Sequence, residues 1–495
     1  MHLITSFFDL GLFWNFFYVY EKVMQIWNYH EISSSNELFK KIDLSLEFHS
    51  ILSIARIQIP TIFNCMIGYH EFRRNVEILK NLQKKLISIL SCQEMLIPLE
   101  RENLFNYFNE ISLSKNFPLY EGFIRIFVHL SIYFNIKEHE KNEEILKTIL
   151  TELISKHSLK ESFHPTTLFF LFKENVHLIY FLFKEAIFDF SLIETEVKCA
   201  IRQDFFLFFI PEIKKMNPEL YLLKMKEFRL KEKDINDFYF KSLEKSEELT
   251  SELQKFDFRK NMHSQEEIAK IIRSDDIDSF IEYVSNHDNY DLNSKVMASF
   301  LENNSDINNK VNSHDGLSLF EYSMGYGSVN IFRYLWEKKV EYTDQSLKYC
   351  VIGGNSDILR ILEEESKYKF NEECYYTSIQ YYHPKITEHF QNLLKIPPLT
   401  IPSIFSTVHR TTNLEFFWDW LILNENSNEE NLQQSQIFNF LTKSASEPID
   451  AYKLLVSEDS NNFFLAFYFF YLFILQQSNI DINSFGKICF LINCF

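Results

Sequence analysis

From His70 to about Leu253 the chain alternates apolar and polar residues at helical intervals. Leu79, Leu82, Leu86, Ile89 and Leu90 fall at i, i+3 and i+7, and Ile145, Leu146, Ile149, Leu150, Leu153 and Ile154 do the same. That period puts the apolar side chains on one helix face. Between Thr167 and Phe190 the apolar face widens, which predicts a helix covered by neighbours on most sides. Pro98, Pro118, Pro165, Pro211 and Pro218 interrupt the pattern. Each marks an expected helix boundary, because proline lacks an N–H and clashes inside a helix. Elements of about 15–20 residues with short joins suit stacked helical hairpins. Lys231–Lys260 is strongly charged but amphipathic and reads as an exposed helix or a connector.

Between Ala269 and Leu394 the pattern repeats. Asp276–Ile281, Asn330–Leu335, Asp357–Leu362 and Lys385–Phe390 align on Ile277, Ile331, Ile358 and Ile386. The offsets are 54, 27 and 28 residues, a unit of about 27 with one copy degraded or filled by a loop. A second helix precedes each of these: Leu319–Gly327 aligns with Ser346–Gly354, and Tyr322 to Tyr349 is again 27. Gly327 and Gly354 suit the left-handed position at a helix end. Ser328 and Ser356 then stand as candidate N-caps. Ser318-Leu319-Phe320-Glu321 is a capping-box pattern, with a turn at Asp315-Gly316 before it.

Helix, glycine turn, helix, polar turn at roughly 30 residues is the plan of ankyrin repeats, whose usual period is about 33. Gly327-Ser328-Val329-Asn330-Ile331-Phe332-Arg333-Tyr334-Leu335 resembles the family's Gly-His-x-Glu-Ile-Val-x-x-Leu. At the first helix the family's Thr-Pro-Leu-His-x-Ala becomes Ser318-Leu319-Phe320-Glu321-Tyr322-Ser323. More closely, Ala269–Leu394 resembles the divergent ankyrin-like proteins expanded in trichomonad protists, in which a helical N-terminal region precedes the repeats. The resemblance covers the middle quarter of the chain well and His70–Asn261 loosely. It implies an all-α helical-hairpin solenoid with ankyrin-like repeats in its middle-to-C-terminal part. It also implies protein binding through turn tips and first-helix side chains. Those tips would include His314, Asp315, Glu341, Tyr342 and Asp344, with Tyr326 and Tyr381 nearby.

Composition agrees with helices. The 495 residues include 52 Phe and 25 Tyr but only 9 Gly and 11 Pro, against roughly 35 and 25 at average usage. So few glycines cannot supply the turns of a sandwich, a barrel or a large doubly wound sheet. Five of the nine fall between Gly316 and Gly354, while none lies between Gly122 and Gly316. With 68 acidic against 50 basic residues the net charge is −18. No basic footprint for nucleic acid is present, and Lys80, Lys84 and Lys85 read as a solvated helix face. Seven widely spaced cysteines without a C-x-x-C argue for a reducing compartment and against zinc, the Cys489/Cys494 pair included.

Met1–Tyr20 is apolar but has Asp9 within it, Lys22 as its first cation and no small-residue cleavage site, so no signal peptide is expected. Phe463–Leu475 is a 13-residue apolar run, short of the ~20 residues a membrane span needs, and reads as a buried helix. Nucleotide-loop, nucleophile-elbow and H-E-x-x-H motifs are absent from the sequence. Glu138-His139-Glu140 reads as a solvated helix, and His164 and His177 as core or boundary residues. Asp275 and Asp276 suit the positive end of a helix dipole.

The expected organisation is an apolar extension over 1–68, stacked hairpins over 69–262, ankyrin-like repeats over 263–395 and a helical or partly disordered extension over 396–495. The expected function is a cytoplasmic, non-enzymatic scaffold with a protein partner. It would have no cofactor or metal, no nucleic-acid partner and no membrane span. One rival is a helical enzyme with a site within Glu100–Asn261. The other is a membrane-associated adaptor anchored by Phe463–Leu475.

Overall fold

Prolines and asparagines start many of the helices. The computed structural model describes residues 61–199, 203–231, 259–308 and 316–425, and these are almost entirely helical. Among the described residues the first ten helices are α1 (Thr61–Ser91), α2 (Ile97–Glu110), α3 (Phe117–Tyr133), α4 (His139–Lys156) and the single turn α5 (Leu159–Ser162), then α6 (Pro165–Phe172), α7 (Val176–Lys184), α8 (Phe190–Cys199), α9 (Gln203–Met216) and α10 (Pro218–Glu227). Pro98, Pro118, Pro165 and Pro218 stand in the first turns of α2, α3, α6 and α10, where the missing N–H costs nothing. Pro211 is different: it lies inside α9. An interior proline costs about 3 kcal/mol. Phe205 to Ile210 and Ile213 are all buried around it, and at about 1.5–3 kcal/mol per buried side chain their packing outweighs the loss.

The wide apolar stretch after Thr167 is two helices, not one. Asn175 breaks it by accepting the N–H groups of His177 and Leu178 and so capping α7. Rings fill the core of this part. Phe108 meets Phe123 at 5.0 Å, Phe127 meets Phe172 at 6.4 Å, and Phe169 meets Phe205 at 6.1 Å, all edge-to-face. Edge-to-face rings add about 0.5–1.5 kcal/mol each beyond area burial.

The rest of the described chain is five helix pairs. They are α11 (Glu267–Ser274) with α12 (Ile277–Ser285), α14 (Leu319–Gly325) with α15 (Val329–Glu337), α16 (Leu347–Gly353) with α17 (Ser356–Glu365), α18 (Glu372–Gln380) with α19 (Pro384–Leu393), and α20 (Ile401–Thr411) with α21 (Leu414–Glu425). The first helices α11, α14, α16, α18 and α20 pack side by side in chain order. The fifth pair lies past Leu394, in the stretch read from sequence as a C-terminal extension. Between α12 and α14 runs a long connection. Its strand β1 (Lys295–Val296) pairs antiparallel with β2 (Leu317–Ser318), and the single turn α13 (Ser305–Asn308) lies between them. Among the described residues it contains no helix pair, and α11 packs directly on α14. The long first offset is therefore a loop. Its register also differs from the isoleucine alignment. The residues at the cap positions of α12, α15, α17 and α19 are Asp276, Ser328, Asn355 and His383. With Asp276 at the cap, Phe280 corresponds to Phe332, both fully buried, and Ser279 rather than the half-buried Ile277 takes the place of Ile331.

Each junction between pairs carries a side-chain hook of the same kind. Ser328 Oγ donates to Ile272 O. Asn355 Nδ2 donates to Gly327 O at 3.2 Å, His383 Nε2 to Ile352 O at 3.2 Å, and Asn413 Nδ2 to Ile379 O at 2.9 Å. In every case the residue before the second helix grips the end of the preceding pair's first helix. This corrects the expected caps. Ser328 sits at the cap position of α15 but spends its hydroxyl on the neighbour, and Asn355, not Ser356, caps α17 through its side chain. The capping box of Ser318 and Glu321 is present at α14. Glu321 Oε1 also accepts from Ser346 Oγ at 2.7 Å, which ties α14 to the start of α16. Gly354 is left-handed at φ +62° with His383's ring 2.5 Å from where a Cβ would be, and a Cβ on Gly353 would lie 2.0 Å from Met324 O. Glycine is required there because two turns touch backbone to backbone.

The last pair returns to the first helix. Phe72 and Phe417 meet at 6.2 Å. Buried Gln83 of α1 accepts the N–H groups of Leu414 and Glu415 and donates to Thr412 O and Tyr382 Oη. A side chain some 330 residues away thereby satisfies donors that α21 leaves open. No described helix is long and apolar enough to cross a membrane.

Candidate functional site

Two places gather polar and aromatic groups: the tips between helix pairs and a buried seam behind them. At the tips, Glu341 and Asp344 are exposed. The Glu341 N–H donates to Asn293 Oδ1 of the preceding tip at 2.9 Å. Tyr342 is half-buried and continues a ring ladder. It lies 5.5 Å from Phe320 and 5.4 Å from Tyr368, with its hydroxyl 3.1 Å from Ser366 Oγ. Most of that ring is therefore committed to packing within the stack. His314 and Asp315 lie outside the described residues.

Tyr326 and Tyr381 are elsewhere. Both are buried, at 2% and 1% exposure, so neither belongs to an exposed binding surface. They follow the ends of α14 and α18. A seven-residue helix is about 10 Å long, and that length separates Tyr326 from the tip where α14 starts. Sequence proximity to the tips concealed this, because each first helix carries the chain to the opposite end of the pair.

That opposite end meets α3 and α4 in a polar seam. Tyr326 Oη lies 2.9 Å from His263 Nδ1 and donates to Glu302 Oε2 at 3.3 Å. His263 Nδ1 is 2.6 Å from the same carboxylate oxygen. The ring of His139 stacks on His263 at 5.5 Å with 16° between planes, and its Nε2 donates to Phe134 O. Beside them Arg273 donates to Tyr322 Oη and Ser264 O. Tyr381 Oη donates to Asn304 Oδ1 and Asp306 Oδ2 at 3.0 and 2.8 Å. Asn304 in turn donates to Ile132 O, and Asn303 bonds Asn175 and the Val176 N–H. Arg259 forms a two-pronged pair with Glu212 and donates to Phe208 O and Tyr180 Oη. The long connection before α14 thus supplies Glu302, Asn303, Asn304 and Asp306 to the seam.

Burial sets the electrostatics. It lowers the His139 and His129 pKa values to about 3, His263 adding to the effect at His139. It pushes Tyr322 up to about 12 against the pull of Arg273, and Tyr326 and Tyr381 also rise. Burial works against the Glu302 charge, yet His263 holds this carboxyl below its ordinary range. His139, read from sequence as part of a solvated helix, is a buried member of this cluster. His177 is buried between the carbonyls of Arg259 and Leu301. His164 sits at the boundary and caps α6. Asp276 caps α12, and Asp275 accepts the N–H groups of Asn330 and Ile331 at the start of α15. Among the described residues no group of three or more His, Cys, Asp or Glu could hold a metal ion.

Sequence reasoning missed the seam and the hooks. The hooks had a legible signal: Ser328, Asn355, His383 and Asn413 follow one another at 27, 28 and 30 residues. The seam had none, because its members come from seven separate stretches of chain. Comparison with protein-family models, with curated proteins and with solved structures found no match.

Proposed function

We propose that this chain is a non-enzymatic protein-binding scaffold whose five helix pairs form an ankyrin-like solenoid. The observation that supports it is the hook at each of the four junctions, where the residue before every second helix bonds a backbone carbonyl at or just past the end of the preceding first helix. A stack held by equivalent neighbour contacts presents a row of equivalent tips, and such rows serve as extended binding surfaces. The exposed residues of these tips carry both signs, with Glu341 and Asp344 beside Lys338, Lys339, Lys367 and Lys369, and suit a partner of mixed charge. Buried thiols at Cys350 and Cys374, with pKa values raised by burial, suit a reducing cytoplasmic setting.

The test places a photo-crosslinking residue at Glu341, at Asp344 or, in α2 outside the stack, at exposed Glu102. The expected result is one discrete protein adduct from positions 341 and 344 and none from 102. Equal labelling at all three positions, or none at the tips, would remove the reading.

A further inference from the structure

The corner between α3 and α4 begins at His129 and ends at His139, and both rings press on the ends of first helices in the stack. His129 lies 5.8 Å from the ring of Tyr382, which follows α18, and 4.5 Å from Tyr133 with the rings tilted by 33°. His139 stacks on His263, which precedes α11. The His129 Nε2 and His263 Nε2 atoms are buried and have no hydrogen-bond partner among the described residues. From this geometry we propose that the corner is an acid-sensitive latch: protonation of His129 and His139 releases residues 129–139 from the stack.

The surrounding charges explain why. His129 faces Tyr133, Tyr382 and the backbone of Gln380. A proton there creates a buried cation whose nearest neighbours are neutral. The groups around His139 are His263, Glu302 and, further off, His177, with Tyr326 hydrogen-bonded to Glu302. Arg273, which senses Glu140, lies over the Tyr326 ring. Glu302 can balance one positive charge in the stacked pair, and a second has no counter-ion. His177 is a different case: carbonyls face both its nitrogens, so a second proton finds an acceptor.

The sign follows from linkage. A histidine held neutral in the closed form and free to titrate in the open form contributes stability above pH ~6.5, and that stability is lost as pH falls toward the depressed value. With pKa values near 3 when closed, each ring favours opening by about 30-fold at pH 5 relative to pH 7.5. Opening uncovers Tyr326 and Tyr381. It stays local because Gln83 and Phe72 hold α21 to α1 without a histidine.

Hydrogen exchange on the full chain tests this, with rates corrected for intrinsic pH dependence. Peptides covering 129–139, 259–266 and 299–306 should exchange at least 30-fold faster at pH 5.0 than at pH 7.5, while 86–90 on the buried face of α1 stays protected. The double variant His129→Gln, His139→Gln should remove most of the acceleration, and His157→Gln, remote from the seam, should leave it intact. Should the double variant fold poorly at pH 7.5, the single variant His129→Gln replaces it and should remove about 30-fold of the acceleration. Unchanged seam protection at pH 5.0, acceleration spread evenly over the core, or a His129→Gln profile equal to the parent would overturn the latch.

Discussion

The helices before residue 231 and the helix pairs after 259 solve the same packing problem in different ways. In the first part, neighbours are selected by the shape of large rings. Phe108, Phe123, Phe127 and Phe172 form one chain of contacts, and Phe169, Phe205 and Phe209 another. In the second part, neighbours are indexed by single polar groups at fixed positions, one hook for each junction. Ring packing supplies more free energy but tolerates exchange among apolar residues of similar volume. A buried hook supplies only about 1 kcal/mol, yet it permits one register. Left-handed residues close turns in both parts, at Ser112, Asn135 and Ser158 in the first and at Asp275, Tyr382 and Thr412 in the second, and the stacked part adds glycine where turns touch, at Gly353 and Gly354.

The comparison breaks hardest at a core position of each part. Ile358→Asp puts an unpaired charge at a fully buried site and should cost about 3–5 kcal/mol. Phe172→Leu, at an equally buried site, should cost roughly 1–2 kcal/mol, because the volume change is modest. Denaturant melts of the full chain measure both, and equal losses would erase the distinction. Next comes Gln83→Ala. It strands the Leu414 and Glu415 N–H groups and should cost about 2–3 kcal/mol, with proteolysis beginning in α20 and α21. Gly354→Ala forces a left-handed alanine against the His383 ring, for about 1–2 kcal/mol. The smallest effect belongs to Ser328→Ala, which removes one hook at the first junction, for about 1 kcal/mol. Hydrogen exchange should then rise in α11 and α15 alone, and a change spread over all five pairs would show that the hooks do not act locally.

Helices, their faces and several of their starts were legible because they depend on neighbours three or four residues away. Leu82, Leu86 and Ile89 are buried as their spacing requires, and the capping box at Ser318 is formed. Pro211 was misjudged because its local cost is outweighed by burial that no local rule counts. The first copy was misaligned by two residues because Asp276 and Ile277 matched a pattern of letters, while the cap and the buried Phe280 set the register.

By itself the sequence determined the helical class, the period near 27 and the turns at Gly327 and Gly354. These are local matters of φ, spacing and burial periodicity. Only the tertiary structure decided that Tyr326 and Tyr381 face inward, that His139 stacks on His263, and that α1 closes the far end of the stack through Gln83. Those contacts join residues 63 to more than 300 positions apart. Their partners are selected by which surfaces meet once the helices have packed, and no local spacing carries that information.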